Sequence, residues 1–312
     1  MAIPDVVSFW LLLIFGIPSI ICYIFNLYYF LMDRTLRKGL HNHVIILIHF
    51  FGLLYMVTDF IWYMYYYRNH STLISSPIFC LIWVWIDYTL PPSITILMAW
   101  ASVERHILIF HQHLTATPLK CFVFHYFPLI LFGIYPSIFY SIMFFVIPCE
   151  VSYDYSLNTC GLFQCSYIQP TLAMWDSIVG LITPGFVIVI FSLLLIGRVW
   201  YNKYRMGQQF RWRNYSKMLF QLLSLSALYF ILFFPCIILY TAYTAGLSRD
   251  VGADFFLVAL FFSYFVTLFI PFVSMAVLPE LRSKMRNIIP LDRRQRNAIA
   301  PIIIAGTRRA NR

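Results

Sequence analysis

The residues able to do chemistry in this chain are charged groups set singly inside long apolar runs. Glu104, Arg105 and His106 stand together, and Arg105 lies 25 residues after Cys80. Asp87 precedes Arg105 by 18 residues, five full turns of 3.6, so one helix face would carry both. Asp176 lies eight residues before Pro184, and Asp59 sits in another apolar run. A carboxylate or guanidinium in apolar surroundings is costly unless paired, so each is a candidate functional group. The chemistry they offer is recognition and exchange of charge.

The surroundings of these groups follow from composition. Of 312 residues, 61% are hydrophobic and only 11% are charged, with mean hydropathy +0.78. A soluble domain carries roughly 25% charged residues, so this chain cannot coat a globule and lipid must be its solvent. A span needs about 20 mostly apolar residues. Seven segments qualify: 9–32, 43–67, 77–103, 122–147, 170–200, 216–245 and 252–278. The expected fold is an all-α bundle of seven transmembrane helices. The first apolar run has no basic leader and is too long for a signal core, so it is read as the first span.

Orientation comes from the basic residues. Twenty of the 22 lysines and arginines fall in alternate gaps and in the C-terminal tail, while only Arg68 and Arg249 fall on the other side. The positive-inside bias puts the tail in the cytoplasm and the N-terminus outside. It also accounts for the net charge of +10 without a nucleic-acid partner. The sequon at Asn69 lies on the outer side and that at Asn214 on the inner side. Residues 278–289 repeat apolar side chains at helical spacing with Arg282, Lys284 and Arg286 between them. They are expected to form a short amphipathic helix on the inner leaflet, the alternative being a solvated basic tail. The seven-span unit would cover 1–289, followed by a basic, disordered tail, 290–312.

An arginine at the inner end of the third span, flanked by a carboxylate and an aromatic ring, resembles the Asp/Glu-Arg-Tyr triplet of rhodopsin-like G-protein-coupled receptors. The Cys80-to-Arg105 interval matches that family's spacing, and Asn26, Pro184, Pro235 and Pro271 fit its skeleton. The plainer alternative is an arginine snorkelling at a helix end. Departures are clear. Phe51 or Gly52 stands where the family has a sodium-binding aspartate, the span-4 Trp is missing, and Phe233 replaces a Trp before Pro235. Span 7 reads Ile270-Pro271-Phe272-Val273-Ser274. Pro91 and Pro92 are expected to kink or loosen the third helix.

The resemblance implies a plasma-membrane receptor that binds an extracellular ligand and activates a heterotrimeric G protein. Glu104 would hold Arg105 at rest and His106 would complete the switch. Asp87 would anchor a cationic amine or basic peptide, with Trp83, Tyr264, Asp176 and Tyr240 lining the pocket. Alternatively Asp87 is a structural carboxylate bonded to Tyr264. The favoured disulfide is Cys80–Cys165, with Cys149–Cys160 closing a hairpin and Cys80–Cys160 as the other pairing. No cofactor or metal is expected, and the histidines form no catalytic constellation, so the chain is not expected to be an enzyme. The five lysines all lie in connecting segments or the tail, which excludes a retinal Schiff base. A multi-span transporter of a small solute is the competing class.

Overall fold

A computed structural model describes residues 3–147, 153–164, 170–206 and 223–288. Five helices follow in order: α1 (Asp5–Met32), α2 (Leu40–Asn69), α3 (Pro77–Phe110), α4 (Pro118–Val146) and α5 (Thr171–Tyr201). A pair bent by 48°, α6 (Leu223–Leu232) and α7 (Phe234–Thr244), comes next, then α8 (Ala253–Val277) and the short α9 (Pro279–Ile288). No strand occurs among the described residues. Six helices are each long and apolar enough to cross a membrane, and α6 with α7 passes only as a pair. The predicted segment 216–245 begins outside the described residues, as do the tail 290–312 and the Asn214 sequon.

The distribution of polarity marks a multi-pass membrane protein. Outward faces carry bare aliphatic side chains, such as Ile14, Ile21, Ile78 and Leu193. Inside lie Ser19, Asn26, His49, Asp59, Glu104 and Arg105, all buried. Helix α3 is the axis of this arrangement, with 61% of its apolar window buried against 28–50% for the other single helices.

Proline explains several contacts, because it withdraws the N–H that would serve the carbonyl four residues earlier. Pro271 lies inside α8 and leaves the Thr267 carbonyl without a helical donor. The Tyr23 hydroxyl supplies it from α1 at 2.7 Å. Ser19 donates to the Leu268 carbonyl at 2.9 Å, and Asn26 Nδ2 donates to the Pro271 carbonyl at 2.8 Å. Asn26 Nδ2 also lies 3.3 Å from His49 Nε2. On α2 the polar side chain that meets Asn26 is thus His49, not position 51 or 52. Gly52 has another use, since a side chain there would collide with the Tyr23 hydroxyl.

Helix α3 is continuous from Pro77 to Phe110 with Pro91 and Pro92 inside it, and the Ser93 hydroxyl binds the Thr89 carbonyl at 2.7 Å. Pro235 stands just past the α6–α7 break, and Pro184 follows a wide-turned stretch, Asp176–Ile182, that absorbs its missing bond. Serine pairs tie the bent helices to α5 at both ends: Ser192–Ser226 at 2.8 Å and Ser177–Thr244 at 3.1 Å. At the Arg105 end, Lys284 of α9 pairs with Asp33 at 3.7 Å. The Thr35 hydroxyl and amide, with Lys284, hold the Asp33 carboxyl below the ordinary carboxylate range. Any stability from that contact is therefore present above the ordinary pKa and lost as pH falls through the lowered one.

Cys80, at the other end of α3, is bonded to Cys160, and this corrects the pairing with Cys165. The reason is a tight turn. Thr159, Cys160 and Gly161 all take left-handed φ, at 47°, 56° and 74°. Asp154 N–H donates to the Cys160 carbonyl at 3.2 Å, and Thr72 N–H to the Tyr155 carbonyl at 3.0 Å. These bonds press Cys160, fully buried, onto α3. Bonded to Cys80, it cannot also close a hairpin with Cys149. Cys149 and Cys165 lie outside the described residues.

Replacing Tyr23 by Phe removes the donor from a carbonyl that neither helix nor lipid can serve. Thermal unfolding of the purified protein in detergent should show a loss of about 1–3 kcal/mol. Peptide mapping without reduction should recover Cys80 joined to Cys160.

Candidate functional site

Two regions collect the polar residues, one at each end of α3. At the lower end Arg105 is 1% exposed, among the largest fully buried side chains. That burial disposes of a snorkelling arginine. It faces a cavity lined by Ile45, Ile48, Met98, Ile188 and Ser226. Glu104, also buried, acts electrostatically on Arg105, but its Oε1 is hydrogen-bonded to His125 Nδ1. His125 comes from the first turns of α4 and is 0% exposed. Its Nε2 lies 2.9 Å from His43 Nδ1 of α2, and His43 Nε2 lies 2.9 Å from the Arg37 carbonyl. His106 Nε2 lies 3.0 Å from the Phe191 carbonyl, which ties α3 to α5.

At the Cys80 end the acids divide into two nests on either side of α3. In the first, Asp59 of α2 accepts the Trp83 indole N–H at 2.7 Å. Asp87 interacts electrostatically with Asp59 and accepts the Tyr63 hydroxyl at 3.4 Å. The Tyr264 ring of α8 packs on Tyr63 at 5.0 Å and stacks on Tyr55 at 6.4 Å. So Asp87, Trp83 and Tyr264 are brought together as expected from sequence. The bond onto Asp87 nevertheless comes from Tyr63 rather than Tyr264. Trp83 is wholly buried and spends its one donor on Asp59.

The second nest is built on Asp176 of α5, which accepts the Tyr140 hydroxyl of α4. Gly180 makes this possible, since a Cβ there would lie 2.7 Å from Asp176 Oδ1. Tyr240 of α7 interacts electrostatically with Tyr140, and Tyr88 packs on it at 5.7 Å. Asp87 and Tyr88 are consecutive, and neighbours on a helix point about 100° apart. The two nests therefore occupy adjacent faces of α3, Asp87 serving one and Asp176 the other.

Sequence reasoning missed His125, His43, Tyr63 and Tyr140, and gave Asp59 only a minor part. Asp59 did carry a signal, being an acid inside an apolar run. The histidines carried none beyond their type, and the tyrosines are two among 22. Among the described residues no three His, Cys, Asp or Glu side chains are grouped so as to hold a metal ion.

Trp83→Phe deletes the indole donor while keeping an aromatic ring, and leaves the buried Asp59 with the Tyr55 hydroxyl but without its indole partner. The expected cost is about 1–3 kcal/mol of stability, read from the thermal midpoint in detergent. No protein-family model and no curated protein matches this sequence.

Proposed function

We propose that the chain is a rhodopsin-like G-protein-coupled receptor: seven spans, α6 and α7 together forming the sixth, with α9 lying along the inner leaflet. In this reading the N-terminus is extracellular, the tail cytoplasmic, and the protein resides in the plasma membrane. One observation carries the proposal. A single central helix is pinned by the Cys80–Cys160 disulfide at one end and buries Glu104 and Arg105 at the other, with His106 half-buried beside them. A helix so held can link events at its two ends, which is what a receptor requires.

The ligand end of the proposal is the acid–tyrosine nest at Asp87. Two carboxylates, the buried Asp59 and the half-buried Asp87, with aromatic rings packed around them suit a cationic amine or a basic peptide. Asp176 and Tyr240, in the neighbouring nest, would contact a second basic group of a longer ligand. The partner at the Arg105 end would be a heterotrimeric G protein, engaged when Arg105 leaves its buried position.

A transporter of a small cation is the second reading, and the 48° break between α6 and α7 favours it, because broken helices mark transport sites. The two separate on one experiment. Cells expressing the chain are screened with amines and basic peptides, while G-protein activation and ligand uptake are recorded together. Activation without uptake supports the receptor, and uptake alone refutes it. Within the receptor reading, Arg105→Ala should abolish activation while leaving surface expression and binding intact. Glu104→Gln should raise basal activity. Asp87→Asn should weaken binding of a cationic agonist by about 2–5 kcal/mol.

A further inference from the structure

A file of polar groups runs from the corner between α1 and α2 to the centre of the Arg105 end. Its three bonds join the Arg37 carbonyl to His43 Nε2, His43 Nδ1 to His125 Nε2, and His125 Nδ1 to Glu104 Oε1. Each needs one proton between its heavy atoms. The Arg37 carbonyl can only accept, so His43 Nε2 carries a proton. Two neutral imidazoles bring one N–H each, two protons for three bonds, and a carboxylate brings none. The file therefore closes only with one further proton. It is held either as an imidazolium beside a carboxylate or as a carboxylic acid beside two neutral rings. The count is the same wherever the proton sits, and the loaded file has zero net charge.

Access differs between the two ends. His125 and Glu104 are 0% and 1% exposed, whereas His43 is half-buried and the Tyr126 ring stacked on it at 5.8 Å is open to the surface. Among the described residues, the open end of the file is His43. We propose that His43, His125 and Glu104 form a proton relay loaded from the face that carries Arg37, with His125 positioning Glu104 away from Arg105. Unloading sends one proton to solvent and leaves two neutral rings and a carboxylate, so one of the three bonds loses its hydrogen. The net −1 then sits in apolar surroundings beside the Arg105 guanidinium. A buried carboxylate short of a donor is costly, so Glu104 turns to Arg105 and clamps it. Reloading returns Glu104 to His125 and loosens the clamp.

The other ionisable groups around the file are few. Arg105 faces Glu104 from α3 itself, and Tyr126 of α4 faces both imidazoles. At the α1–α2 corner Arg37 directs its guanidinium to the Leu31 carbonyl at 3.2 Å, with Lys38 and His41 beside it in sequence. Lys120 stands at the start of α4. Arg198 of α5 lies over the Phe110 ring at 4.3 Å. None of these contacts supplies the missing proton to the file. The inference rests on hydrogen-bond geometry and holds whether or not the chain couples to G proteins.

The test is nitrogen NMR of the histidine and arginine side chains of the whole protein in detergent, titrated with pH. In the wild type, His43 and His125 should titrate in one shared step that releases a single proton. The Arg105 Nε–H signal should move at the same midpoint. In Glu104→Gln the amide N–H supplies the third donor, so two neutral rings complete the file. The shared step should then fall to lower pH by more than about one unit. The His49 ring, bonded to Asn26 elsewhere in the bundle, reports whether the variant is folded. If it is not, His43→Gln serves instead, removing the entry point and leaving His125 unresponsive to bulk pH. Rings that titrate independently, or an unchanged step in Glu104→Gln, would overturn the relay. An Arg105 signal that stays fixed while the rings titrate would overturn the hand-over to Arg105.

Discussion

Lipid cannot accept or donate a hydrogen bond, and this constraint organises the whole chain. A polar group placed inside an apolar helix bonds either to its own helix, as Ser93 does to the Thr89 carbonyl, or to a partner on another helix. The partners then specify how the helices sit. Ser19, Tyr23 and Asn26 of α1 reach three backbone carbonyls of α8, two hundred and more residues later in the chain. Glu104 of α3 meets His125 of α4, and His125 meets His43 of α2. Asp59 of α2 meets Trp83 of α3, and Asp176 of α5 meets Tyr140 of α4. Apolar packing fills the remaining space but, between equally greasy surfaces, selects a mutual rotation weakly.

Position along the helices was legible from the sequence, and rotation about them was not. The length of apolar segment needed to cross a bilayer located most helix ends within a few residues, though α3 runs seven past its expected end at 103. The 25-residue interval from Cys80 to Arg105 located the two ends of the central helix. Which side chain faces which depends on helix rotation, and a helix that is apolar on every side carries little periodic signal of its inward face. Tyr63 and Tyr264 could each have reached Asp87, and only the packing decides for Tyr63. His125 looked like any histidine near a span end. The disulfide failed for a different reason. Cys160 was selected by a left-handed turn at residues 159–161, a backbone choice that spacing alone does not reveal.

The buried charges follow the same logic at two scales. Within a nest, a carboxylate is served by hydroxyl or indole donors and enclosed by rings. Across the bundle, the acids of one end and the guanidinium of the other are linked by one helix that passes both Pro91 and Pro92 without interruption. The proline-bearing helices around it are less uniform, with wide-turned stretches in α4 and α5 and a break between α6 and α7.

That break acts with the two serine contacts on α5 as a lever with unequal arms. Ser226 lies seven residues before the fulcrum at Phe233 and Thr244 lies eleven after it, about 10 and 16 Å of helix. A rotation of the bent pair about Phe233 therefore displaces the Thr244 tip about one and a half times as far as the Ser226 tip. The longer arm also carries the longer contact, 3.1 Å against 2.8 Å. A small tilt parts Ser177 from Thr244 while Ser192 still holds Ser226. The bundle is thus geared to yield first at the end where Asp176 and Tyr240 lie.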